Sequence, residues 1–81
     1  MNKDEKKKIK SLLVELIPLK LHAVSGIRFI FRGRLSGDEI HRLLPIIQKK
    51  IGREIEWVNR EVFSQNGTLS KGFIETIITI Y

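Results

Sequence analysis

Residues 26–35, GIRFIFRGRL, decide the fold of this chain because apolar and basic side chains alternate along them. Side chains of a β-strand point alternately to the two faces of a sheet, so this alternation predicts a strand with one apolar and one basic face. The apolar set is Ile27, Phe29, Phe31 and Leu35, and the opposite set is Arg28, Ile30, Arg32 and Arg34. Guanidinium groups in a row suit phosphates, because each can donate two hydrogen bonds to one phosphate. The pattern favours a nucleic-acid-binding module.

The composition agrees with a partner that is a polyanion. The net charge of +6 is uneven: residues 1–50 hold twelve Lys and Arg against five Asp and Glu, whereas residues 51–81 hold three against four. Such asymmetry indicates one face directed at a polyanion. A chain of 81 residues is one small domain, and the lack of cysteine excludes disulfides and cysteine-based metal sites. No apolar run approaches the ~20 residues of a membrane span, so we expect no membrane partner.

Two helices are predicted from apolar residues that recur at helical spacing. The first spans about residues 3–16 and stops before Pro18; its stripe is Ile9, Leu12, Leu13, Leu16 and Ile17. We expect residues 1–8 to be a basic extension or the start of this helix, and residues 9–81 to form a single domain. Ser36 and Glu39 have the spacing of a capping box, which starts the second helix near residue 37. Pro45 predicts a kink or a restart, and Gly52 a stop.

The remaining pattern predicts two more strands. Residues 19–25 are expected to be a connection, residues 54–64 a strand, and residues 72–81 the last strand, with an Asn66-Gly67 hairpin turn between the two. The predicted order is α-β-α-β-β. This is an α+β, two-layer domain with two helices on one face of a three-stranded sheet. Along the last strand, Phe73, Ile77 and Tyr81 lie opposite the core side, and we predict a protein interface there, where an edge strand can pair with a partner.

Residues 33–42, GRLSGDEIHR, resemble the Gly-Arg-Leu-Gly-Gly-x-Glu-Ile-x-Arg signature of the third small-subunit ribosomal protein family, in its C-terminal domain. The positions that match are Gly33, Arg34, Leu35, Gly37, Glu39, Ile40 and Arg42. The flanking features agree in order and spacing over about residues 9–81: a Gly-Ile-basic strand, a later Gly-Arg pair, and a closing strand that ends in an aromatic residue. The sequence departs from the family where Ser36 and Glu75 replace glycines and Thr79 replaces a tryptophan.

The resemblance implies a place in the head of the small ribosomal subunit and a structural role in translation. Its implied partners are small-subunit ribosomal RNA and neighbouring ribosomal proteins, and we expect the family's N-terminal KH half to be a separate chain. Isoleucine is frequent and Ala23 is the only alanine, which we interpret as the codon bias of an organelle genome. We therefore expect a mitochondrial ribosome, with a cytoplasmic or plastid ribosome as the alternative.

The candidate RNA-binding side chains are all basic. They are Arg28, Arg32, Arg34, Arg42, Lys6, Lys7, Lys8 and Lys10. The alternative function is a free-standing protein-interaction module that uses Phe73, Ile77 and Tyr81. Trp57, Phe63 and Tyr81 are more typical of a core or a protein interface than of base stacking. We predict no enzyme activity, cofactor, metal or small-molecule substrate, because His41 beside Asp38 comes with no nucleophile, and two histidines are too few for a metal site.

Overall fold

The computed structural model describes residues 1–62 and 72–81. Its elements are α1 (Lys3–Leu16), β1 (Lys20–Ser25), β2 (Arg28–Arg32), α2 (Gly37–Ile51), β3 (Ile55–Val62) and β4 (Phe73–Ile80). The strands form one antiparallel sheet in the order β1-β2-β4-β3. The α+β class and the placement of both helices on one face are confirmed, and the sheet has one strand more than predicted.

The core lies between the helices and one face of the sheet. Phe29 and Phe31 of β2 are completely buried, and their partners across the ladder are Ile78 and Thr76 of β4. The helices cover this face with Ile9, Leu13, Ile40, Leu43 and Ile47. The alternation predicted for β2 is therefore correct at Arg28, Phe29, Ile30, Phe31 and Arg32. Burying one such phenylalanine contributes about 1.5–3 kcal/mol to folding.

The prediction that residues 19–25 form a connection is wrong, because Lys20–Ser25 form the edge strand β1. Gly26 and Ile27 are the two turn residues of a β1–β2 hairpin, in which Ser25 pairs with Arg28. Gly26 has a φ of +60°, as expected for the first central residue of a type II′ turn. Ile27 is 42% exposed in this turn and is not a core residue, contrary to prediction.

Strand β2 ends at Arg32, two residues before the predicted row of arginines ends at Arg34. Gly33 has a φ of +116°, which side chains rarely tolerate, and a Cβ there would lie 2.7 Å from Leu19 Cδ2. Its amide still donates a hydrogen bond to the Ile74 carbonyl, but the chain then leaves the sheet. Leu35 is buried in the core as predicted, whereas Arg34 follows the turn and does not continue the row of Arg28 and Arg32.

The helix ends follow the predicted local chemistry. The Ser36 hydroxyl accepts from the Glu39 amide, and the Glu39 carboxylate accepts from the Ser36 amide, so the capping box is confirmed. Gly52 ends α2 with a φ of +71°. The helix runs through Pro45 without a restart. Pro45 is exposed, so the His41 carbonyl that loses its amide donor can accept from water.

The last strand is not an edge strand, contrary to prediction. β4 lies between β2 and β3, and its backbone groups are paired on both sides; β1 and β3 form the edges. An added partner strand therefore cannot pair with β4. The predicted Asn66-Gly67 turn lies outside the described residues.

A buried threonine fastens the end of β2 to the other half of the sheet. The Thr76 hydroxyl lies 2.9 Å from the Gly33 carbonyl oxygen and 2.8 Å from Asn59 Oδ1, and Thr76 is completely buried. The hydroxyl has one proton and therefore donates to one of these two oxygens at a time, at the point where the chain turns toward α2.

We expect Thr76→Val to lower the free energy of unfolding by about 1–3 kcal/mol, because valine fills the space but leaves buried polar groups unsatisfied. Thr79→Val, on the opposite face of the same strand, is the control and should change stability by less than about 0.5 kcal/mol. Urea unfolding followed by circular dichroism measures both. Equal midpoints for Thr76→Val and the parent chain would contradict this role.

A second polar cluster joins α1 to the end of the sheet. Arg53 Nε donates to the Glu5 carboxylate at 2.6 Å, and Arg53 Nη1 donates to the backbone oxygen of Tyr81 at 3.2 Å. The hydrogen bond from Arg53 lowers the pKa of Glu5 below its ordinary value of 4.5. The pair ties together residues that lie 48 positions apart in sequence.

The lowered pKa of Glu5 predicts a pH-dependent contribution to stability. A carboxyl whose pKa is lower in the folded state stabilises the fold above its unfolded pKa, and the contribution disappears as pH falls through the folded value. The difference in unfolding free energy between the parent chain and Glu5→Gln should therefore be largest above about pH 5 and should shrink below pH 4.5. Urea titrations at several pH values measure it, with Glu15→Gln as the control for net charge. A pH-independent difference would contradict the pairing.

Candidate nucleic-acid interface

The face of the sheet that no helix covers carries the two strand arginines predicted to bind phosphates. We call it the open face. Its side chains are Lys20, His22, Ala23 and Ser25 from β1, Arg28, Ile30 and Arg32 from β2, Phe73, Glu75, Ile77 and Thr79 from β4, Glu56, Val58, Arg60 and Val62 from β3, and Tyr81. Ile30, Ile77 and Val58 lie side by side on three neighbouring strands and form an apolar band across its middle. The basic groups lie on either side of this band.

Arg32 is held in place by Phe73 and His22. Its guanidinium carbon lies 4.0 Å from the centre of the Phe73 ring, which is a cation–π contact. Its Nη2 lies 3.2 Å from Nε2 of His22, which must accept because a guanidinium group can only donate. Neither contact neutralises the charge. The arginine is therefore positioned and keeps its positive charge for an external anion.

Arg28 lies at the other end of the same strand face and is exposed. It lies four positions before Arg32, so the two Cα atoms are about 13 Å apart, which is roughly two steps along an extended nucleic-acid backbone. In residues 1–62 and 72–81 neither Arg28 nor Arg32 forms an ion pair with a carboxylate. Two exposed arginines without acidic partners are suited to bind two phosphates of one strand.

Arg60 was missed by the sequence analysis and is engaged within the protein. Its Nη2 lies 2.9 Å from Glu75 Oε2, and Glu75 is only 5% exposed. A buried carboxylate needs a charged or hydrogen-bonding partner, and Arg60 supplies it from the neighbouring strand. The ion pair also cancels the negative charge of Glu75 beside Arg32, its partner in the β2–β4 ladder. The only sequence signal for Arg60 is that it lies two positions from both Val58 and Val62, which places the three side chains on one face of a strand.

The other predicted RNA-binding residues lie on different surfaces. Arg34 is exposed beyond the end of β2, in a recess shared with Asn59, Arg60 and Glu61, and Arg42 is exposed on α2. The lysines lie on α1, in the layer behind the sheet. Only Arg28 and Arg32 of the predicted set share the open face. The prediction of one row that includes Arg34 is wrong, because the backbone turns at Gly33.

The α1 lysines nevertheless approach the same hairpin from behind. Lys3, Lys6, Lys7 and Lys10 line a groove of about 440 Å³ together with Val24 of β1 and Phe29 of β2. Lys8 lies on the other side of α1, in a cleft with Glu5 and Lys50. The β1–β2 hairpin therefore has arginines on its open side and lysines on its helix side, so positive charge surrounds this edge of the molecule.

The predicted protein interface lies on the same face as the arginines. Phe73 lies under Arg32, and Ile77 is only 6% exposed between its neighbours on β2 and β3. Tyr81 is 53% exposed, and its hydroxyl donates to the Glu56 carboxylate at 2.6 Å, which raises the pKa of Tyr81. The two surfaces predicted separately are thus one mixed surface, with little exposed apolar area contributed by Ile77.

Comparisons with known proteins give no relative: no family model, curated protein or solved structure matches the chain. Within residues 1–62 and 72–81, no three histidine or acidic residues come together as metal ligands. In the same part of the chain, no helix is long and apolar enough to cross a membrane.

We expect Arg60→Ala to destabilise the fold by about 1–3 kcal/mol, because it leaves the buried Glu75 carboxylate without its cation; exposure of Arg60 keeps the cost below that of a fully buried pair. Arg28→Ala is the matched control, since this exposed arginine should contribute less than about 0.5 kcal/mol. Thermal and urea unfolding measure both. Adding Glu75→Gln to Arg60→Ala should recover part of the loss, and equal costs for the two arginines would contradict the assignment.

Proposed function

We propose that this chain is an RNA-binding structural constituent of the small ribosomal subunit, and that Arg28 and Arg32 on its open face bind RNA phosphates. The observation that carries the proposal is the pairing of these two exposed arginines with an uncovered sheet face, while Phe29 and Phe31 between them are buried. In residues 1–62 and 72–81 neither arginine has a carboxylate partner. Such contacts fix the position of RNA without reading its sequence.

The charge distribution around the β1–β2 hairpin supports a polyanionic partner. Arginines on the open side and α1 lysines on the helix side surround one edge of the molecule. Because both groups flank β1, an RNA backbone that follows this edge meets positive charge on either side. Residues 1–50, which include α1 and the whole hairpin, carry an excess of seven positive charges.

The ribosomal setting is supported by the resemblance of residues 33–42. In this fold the residues that match the signature have structural roles. Gly33 makes the turn out of β2, Leu35 and Ile40 enter the core, and Glu39 completes the capping box. We therefore propose the head of the small subunit, most simply of a mitochondrial ribosome, as the location, with ribosomal RNA, neighbouring proteins and a separate KH half as partners. The proposed role in translation is structural and not catalytic.

A second candidate is a protein-interaction module that uses the same face. Val58 is 51% exposed and Tyr81 lies beside it, so a partner with an apolar patch can dock there. This candidate predicts binding that is insensitive to salt and is lost on Val58→Asp. Ile77 is a poor probe for it, because its side chain is already buried.

We expect the double variant Arg28→Ala, Arg32→Ala to weaken binding to a labelled small-subunit RNA hairpin and to lower the slope of log K against log salt by about two, one for each phosphate that is no longer neutralised. Fluorescence anisotropy at several salt concentrations gives both values. Lys49→Ala, Lys50→Ala at the end of α2 removes the same charge and is the matched control. An equal loss of affinity in the two variants would show that only net charge matters.

The ribosomal setting is tested with the same pair of variants. The parent chain and the lysine control should co-sediment with small ribosomal subunits at high salt, whereas the arginine variant should remain at the top of the gradient. A parent chain that binds RNA but never sediments with small subunits would contradict the ribosomal part of the proposal alone.

A further inference from the structure

The open face contains a recess beside Arg28, one of the two arginines proposed to bind phosphates. It measures about 240 Å³ and lies on the β3–β4 side of Arg28. Its walls include Arg28, Glu56, Val58, Thr79 and Tyr81, and Ile77 contributes its floor. The recess thus combines an apolar floor with a guanidinium donor, a carboxylate acceptor and an exposed aromatic ring, a combination suited to a flat polar heterocycle.

The acceptor in this recess is fixed in place and still has capacity. The Tyr81 hydroxyl donates to Glu56 Oε2 at 2.6 Å, which restrains the carboxylate. An ionised carboxylate has about four lone-pair sites, so one bond from tyrosine leaves the others for a ligand. Arg28 lies close enough for its charge to oppose the rise that Glu56 causes in the pKa of Tyr81. A donor and an acceptor therefore flank the same phenol.

We propose that this recess binds one unpaired guanine base of RNA, with Glu56 accepting from N1–H and the 2-amino group and Arg28 donating to O6 or N7. Guanine is the base that fits, because it alone presents two adjacent donors to a carboxylate. Uracil offers one donor between two carbonyls, and adenine and cytosine place an unprotonated nitrogen beside their amino group. The ring rests against Val58 and Tyr81, as bases do on aromatic and apolar side chains.

This inference rests on the proposed RNA-binding function and extends it, because phosphate contacts carry no sequence information whereas a base contact does. It assigns Glu56 and Tyr81 to recognition, in addition to the arginines. It also places Arg28 where the proposed phosphate contacts and the proposed base contact meet. The recess therefore accepts RNA that is looped or single-stranded at the bound guanine.

The test measures binding of the full chain to labelled single-stranded RNAs by fluorescence anisotropy. The RNAs are oligouridine and three versions with one central guanosine, adenosine or inosine. Guanosine should bind about tenfold more tightly than adenosine or uridine, as expected for a good bidentate base contact. Inosine, which keeps N1–H and lacks the 2-amino group, should fall between them.

The Glu56→Gln variant should lose the preference for guanosine and still bind oligouridine at least as tightly as the parent chain, which also shows that it is folded. Glu61→Gln is the matched control, because this glutamate is exposed on the same strand and its position faces the opposite side. Equal affinity for guanosine and adenosine RNAs in the parent chain, or a preference that survives Glu56→Gln, would overturn the inference and leave RNA binding standing. Failure to bind any of the RNAs at low salt would overturn the proposed function itself.

Discussion

The burial of Phe29 and Phe31 under the two helices is the constraint on which the rest of the structure depends. Because successive side chains of a strand point to opposite faces, burying these rings fixes Arg28 and Arg32 on the open face. A slip of one residue would exchange the two sets and place guanidinium groups in an apolar core. The large free-energy cost of that exchange means that core packing and the candidate binding surface are set by the same interaction.

The row of arginines on β2 stops where the strand ends. Gly33 turns the chain out of the sheet, and the Thr76 hydroxyl holds the turn to β4. Ser36 then starts α2 through its capping box, so only three residues separate the last strand arginine from the helix cap. The turn limits the row to two arginines on the open face. Residues 33–42 therefore connect the open face to the core, and they do not extend the row of arginines on β2.

Both helices could be predicted from local chemistry, whereas the edge strand β1 and the central position of β4 depend on long-range pairing and could not. The apolar stripes and the Ser36–Glu39 box depend on neighbours within four residues, so the sequence alone indicates them. β1 was not predicted because a bulge between Leu21 and Ala23 interrupts its alternation of side chains. In addition, Gly26 is compatible both with the start of a strand and with a turn. No local pattern shows that β4 lies inside the sheet, since that depends on which strands meet.

Long-range strand pairing also decides which half of the candidate site could be predicted from the sequence. Arg28 and Arg32 follow from one strand's period, whereas the ion pair of Arg60 with Glu75 exists only because β3 and β4 lie side by side. As a result the open face is divided. Its β1–β2 half carries positive charge without acid, and its β3–β4 half carries charges that already have partners, including Glu56 with Tyr81. Uncompensated cations attract a phosphate backbone, while restrained donors and acceptors discriminate between bases, so the division of charge supports the two kinds of contact proposed with one strand of RNA.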